Sequence, residues 1–153
     1  MASDAAPFLM VDPVHDMAHP LAVEAFAFLS APRSRVMARH ATALFLSQTG
    51  EVLHLVGAYP QPAGPWTALK LRFGYRIPAI FDFEVIEMPL ADFKTMLLDC
   101  AAYMRDSESK GRAWWLSSAP LEEVRETLAA PETFQALYRA VPMTSNEIQG
   151  ALI

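Results

Sequence analysis

Apolar and polar positions alternate along residues 66–87, WTALKLRFGYRIPAIFDFEVIE. Leu69, Leu71 and Phe73 alternate with Lys70 and Arg72, and Phe81, Phe83 and Val85 alternate with Asp82 and Glu84. A period of two puts successive side chains on opposite faces of a strand. The stretch therefore predicts a two-stranded hairpin that turns near Arg76, Ile77, Pro78 and Ala79. In one register Phe73 faces Phe81, Leu71 faces Phe83 and Leu69 faces Val85, while Arg72 meets Asp82 and Lys70 meets Glu84. A slip by one residue would mix the two faces, so the pattern specifies this register.

A second hairpin is predicted upstream, where ATALFLS and EVLHLVGAY flank Gln48, Thr49 and Gly50. The glycine supplies the left-handed residue of a three-residue loop. Helical spacing marks four other stretches. LAVEAFAFLS follows Pro20, is apolar nearly all round, and is stopped by Pro32; Arg33, Arg35 and Arg39 then line the solvated side of a short helix. Phe93, Met96, Leu97, Cys100 and Met104 form a stripe after Pro89, with Asp92 and Arg105 placed to suit the helix dipole. Leu121, Val124 and Leu128 form another, capped by Ser118, and Phe134, Leu137, Tyr138 and Val141 the last. GRAWWLSS reads as a short strand with Trp114 and Trp115 on opposite sides. In the tail, Thr144 and Glu147 have the spacing of a capping box.

Strands thus come in runs rather than alternating with helices, which predicts an α+β fold. The expected architecture is a single domain with a sheet of about five strands, mainly antiparallel, made of two hairpins and a later strand. Helices pack mainly on one face. An extended segment over 1–19, kept from helix by Pro7, Pro13 and Pro20, precedes the domain at 20–142, and a tail covers 143–153.

Composition narrows the function classes. The chain has 153 residues, of which 53% are hydrophobic and 19% charged. The low charge leaves little polar material for the surface and favours a covering partner or self-association. A net charge of −5 with no basic stripe argues against nucleic acid. No apolar run approaches a membrane span, and the first residues lack the basic start of a secretory signal. Cys100 is the one cysteine, which fits a reducing, cytoplasmic setting.

Candidate chemistry is sparse. Asp12, His15, Asp16 and His19 form the most metal-like group; on a helix His15 and His19 would share a face, but the flanking prolines oppose that helix. Asp82 and Glu84 lie on one strand face at a separation that suits a carboxylate pair. Lys70 and Arg72 opposite them would lower both pKa values, which removes a glycosidase reading. Cys100 sits on an apolar stripe without a paired histidine. Glycine-rich phosphate loops, nucleophile elbows and CxxC pairs are absent from the sequence.

The expectation is a non-enzymatic protein-binding module, an adaptor, accessory or regulatory subunit, or inhibitor, that needs no cofactor. Its contacts would be Trp66, Arg72, Tyr75, Arg76 and Trp115, residue types enriched at binding hot spots. The alternative is a small-molecule binder or small enzyme with a pocket between sheet and helices, using His54, Tyr103 and Tyr138 as polar groups.

Overall fold

A computed structural model describes residues 6–61, 64–106 and 115–143, apart from the side chains of Glu24 and Ser117. The chain begins with strands β1 (Phe8–Asp12) and β2 (Met17–Leu21), a 3-10 turn (Val23–Ala27) and β3 (Phe28–Leu29). Helix α1 (Arg33–Arg39), strands β4 (Leu44–Leu46) and β5 (Val52–Pro60), helix α2 (Pro65–Arg72) and strand β6 (Ile77–Val85) follow. Four helices complete the described chain: α3 (Leu90–Asp106), α4 (Trp115–Ser118), α5 (Leu121–Ala129) and α6 (Phe134–Ala140).

The strands form one six-stranded antiparallel sheet in the order β2-β1-β4-β5-β6-β3. The α+β class and the antiparallel sheet are as the sequence predicts. Period-two alternation divides the core into two layers. Leu9 and Val11 of β1 join Phe93, Leu97, Leu116, Val124, Leu128 and Leu137 beneath α3–α6. Met10, from the same strand, joins Phe45, Leu55, Val36, Leu71 and Ile77 beneath the 3-10 turn, α1 and α2. Full burial of side chains such as Phe93 and Leu97 contributes about 1.5–3 kcal/mol each before the cost of ordering them.

Three predicted elements are replaced. Residues 65–72 form helix α2, not the first arm of a hairpin. Pro65 begins it at a position where a missing N–H costs nothing. Gly74, at φ 81°, ends it in the left-handed conformation. Strand β6 forms as expected, but its partner is β5, with Leu53 opposite Val85, His54 opposite Glu84 and Leu55 opposite Phe83. The pairs Arg72–Asp82 and Lys70–Glu84 therefore do not form.

The helix expected after Pro20 is replaced by the end of β2, the 3-10 turn and β3. Pro20 lies in an edge strand, where a missing ladder donor is tolerated. Leu21, Ala25 and Leu29 still fall inside, so the apolar spacing is real although no α-helix carries it. Residues 115–118 are helical, not a strand, while 111–114 and the Thr144–Glu147 pair lie outside the described residues. Pro120, not Ser118, occupies the cap position of α5.

Candidate protein-interaction surface

Helix α2 is anchored by Thr67 and Leu71, which are buried and one turn apart. Its other side carries Trp66, Leu69 and Phe73, spaced as one stripe along a helix. Phe73 continues the helical path, its N–H donating to the carbonyls of Leu69 and Lys70. Trp66 is 75% exposed, Phe73 73% and Leu69 42%. Tyr75, just past the turning glycine, is 61% exposed and enlarges the apolar area. Lys70 and Arg72 are exposed alongside.

This surface gathers four of the five expected contact residues. Trp66, Arg72, Tyr75 and Arg76 all belong to α2 and its following turn. Arg76 is already engaged within the fold, its guanidinium 4.2 Å above the Phe28 ring. Trp115 is separate, half-buried against the core under α3–α6. Leu69 and Phe73 belong to the exposed stripe, whereas the alternating pattern predicts them opposite Val85 and Phe81 across a hairpin. The proline–glycine bracket and the Trp66/Leu69/Phe73 spacing were the signals for this arrangement.

A second exposed surface lies on the outer side of β5 and β6. Residues directly opposite in an antiparallel pair share a face. His54 with Glu84, Gly57 with Asp82 and Tyr59 with Ile80 form this one. Among the strands, helix α3 packs chiefly on β1 and β2. Tyr59, Ile80, Asp82 and Glu84 are exposed on the β5–β6 face. The Tyr59 ring folds back over Gly57, where an added Cβ would come within 2.7 Å of it. The Arg33 guanidinium sits 5.1 Å above the same ring. Glu84 Oε1 is 3.4 Å from His54 Nδ1, and His54 Nε2 is 2.8 Å from the Ala41 carbonyl oxygen.

The N-terminal histidines and aspartates are not on a helix. They occupy the β1–β2 hairpin, with His19 opposite Met10 and Asp16 in the left-handed region at φ 51°. Asp12 is buried and organises the turn. Its Oδ1 accepts from the Thr42 hydroxyl at 2.8 Å and from the backbone N–H groups of Val14 and His15. Its Oδ2 lies 2.7 Å from His15 Nδ1. Burial alone would raise the Asp12 carboxyl, but the bonds from Thr42 and His15 hold it below its usual range. Among the described residues no group of three His, Cys, Asp or Glu side chains is placed to hold a metal ion.

His40 is buried, and among the described residues its Nε2 has no hydrogen-bond partner. Burial, with Arg39 adjacent, pushes its imidazole down to about 4. The buried Cys100 thiol is pushed up to about 12 by burial and then by Asp16, Asp12 and Asp99. A thiol in that state is a poor nucleophile at neutral pH.

The residues of the small-molecule alternative occupy three different environments. His54 is on β5, Tyr103 is exposed on α3, and Tyr138 is buried on α6. The Tyr138 hydroxyl donates to the Pro7 carbonyl, and burial raises its pKa. Among the described residues no helix is long and apolar enough to cross a membrane. The chain matches no protein-family model, no curated protein and no solved structure.

Proposed function

We propose that the chain is a non-enzymatic protein-binding module, an accessory or regulatory subunit, which docks α2 on an apolar surface with an acidic rim on a partner protein. The observation that carries this reading is the exposed stripe of Trp66, Leu69 and Phe73 on one helix, flanked by Lys70 and Arg72. Helix-in-groove recognition uses anchors at this spacing. Large aromatic side chains supply most of the energy at such contacts. The two cations steer the encounter and fix register. Tyr75 extends the contact, Arg76 braces the turn against Phe28, and Trp115 lies outside the docking surface. The acidic net charge disfavours a nucleic-acid partner, and the lone reduced cysteine fits the cytoplasm.

A photo-crosslinking amino acid in place of Phe73 tests the reading in native cells. Captured peptides should combine an apolar run with carboxylates, and reversing Lys70 and Arg72 to glutamate should remove them. Equal capture from a control position on α5, such as Glu122, would overturn it.

A further inference from the structure

We infer that the partner of α2 is a second copy of this chain, whose outer β5–β6 face supplies the acidic, apolar receiving surface. This rests on the reading of α2 as a docking element and names what it docks on. The two surfaces are complementary in charge. Helix α2 presents Lys70 and Arg72 around its apolar stripe, and the β5–β6 face presents Asp82 and Glu84 beside Ile80, with Arg33 held over Tyr59 and His54 beside Glu84. Within one chain these charges do not meet: among the described residues, Glu84 has only the His54 contact and Lys70 and Arg72 have no ion pair. The charge pairs that the alternation predicts inside one hairpin become pairs between copies.

Helix α2 lies between β5 and β6 in the chain, and its buried Leu71 belongs to the layer on the Phe81 and Phe83 side of the sheet, opposite the row of Ile80, Asp82 and Glu84. In the proposed closed dimer each α2 reaches across a twofold axis to cover the other copy's outer face. One-way docking would instead build open chains. The size is sufficient as well. An aromatic side chain buries ~150–250 Å² when fully covered; Trp66, Phe73 and Tyr75 still expose 75%, 73% and 61% of theirs, and two reciprocal contacts, counted on both partners, reach the ~1,200–2,000 Å² that stable interfaces bury.

The test is sedimentation of the full chain at concentrations from about 1 to 200 µM, a range that brackets micromolar association. The wild-type chain should dimerise, more weakly at higher salt. Lys70→Glu with Arg72→Glu should weaken the dimer by more than ~30-fold, and so should Asp82→Lys with Glu84→Lys, because each opposes like charges. Mixing the two variants should restore association, because both reciprocal contacts then pair opposite charges. The four substitutions in one chain should restore the homodimer. Circular dichroism and thermal unfolding confirm that each variant remains folded.

A monomeric wild type across the range, or a mixture that stays monomeric, overturns this inference. If crosslinks from position 73 then map to a different protein, the docking role of α2 stands and only the identity of its partner falls. If neither dimer nor specific crosslink is found, both fall.

Discussion

The backbone N–H of Tyr75 donates to the Lys70 carbonyl at 3.0 Å, and that of Gly74 donates to Leu71 at 3.2 Å. Together these bonds close a Schellman motif around Gly74 at φ 81°. The motif ends α2 and sets Tyr75 beside the exposed stripe. Among the described residues no atom lies within 4 Å of a Cβ built on Gly74, so backbone strain is what opposes a side chain there. Gly74→Ala should cost about 1–2 kcal/mol in urea unfolding, and Gly74→Asn less, because asparagine tolerates this conformation better.

Gly50 presents a harder constraint. It turns β4 into β5 at φ 89°, and a Cβ there would lie 2.9 Å from the Gln135 backbone nitrogen. Strain is joined by a clash with α6, which cannot yield as a side chain does. Gly50→Ala should cost about 2–3 kcal/mol, more than the same change at Gly74. The ordering of the two unfolding midpoints checks this.

Stability should fall in acid through two groups of the same sign. His40 is held down at about 4 against 6.5 when unfolded, so the unfolded chain binds the extra proton between those values. Its contribution is complete above pH 6.5 and is lost as pH falls toward 4. The loss is at most about 3 kcal/mol. Asp12, with its carboxyl also lowered, adds a further loss as pH falls through its folded pKa. His40→Leu should flatten the dependence between pH 6.5 and 4, as measured by urea unfolding at stepped pH.

Asp12 itself should be costly to remove. Asp12→Ala leaves the Thr42 hydroxyl and the N–H groups of Val14 and His15 without their acceptor. A destabilisation of about 2–4 kcal/mol is expected by thermal unfolding. The double variant with Thr42→Val should cost less than the sum of the single changes, since the two side chains share one bond.

Two tryptophans should separate stability from association. Trp115 packs on the core beneath α3–α6, so Trp115→Ala should lower stability by about 1–3 kcal/mol and leave α2-dependent association intact. Trp66 is largely in water. Trp66→Ala should leave stability within about 0.5 kcal/mol and weaken association at least tenfold. Unfolding and sedimentation on the same samples give both readings.

The elements most legible in the sequence are those with one consistent period. The β4–β5 hairpin, α3 and α6 each carry a single pattern, and glycine or proline marks their ends. Residues 66–73 carry two. Leu69, Leu71 and Phe73 fit a strand, while Trp66, Leu69 and Phe73 fit one side of a helix, with Leu71 on the other. The backbone decides between them through Pro65 and Gly74, and the outcome leaves Leu69 and Phe73 on the surface. The N-terminal strands were hidden differently. Proline argues against a central strand, but β2 is an edge strand and accommodates Pro20. The buried states of Asp12 and His40 depend on which distant elements cover them, and no local spacing encodes that.

The Tyr138–Pro7 hydrogen bond spans 131 residues of sequence. Strand β1 leaves the ribosome well before α6, the helix that closes its flank. At about 5–20 residues per second that interval is on the order of 10 s. Throughout it, the side of β1 formed by Leu9 and Val11 awaits its cover of α3–α6. The layer begun by β1 is therefore closed only after 131 further residues have been made.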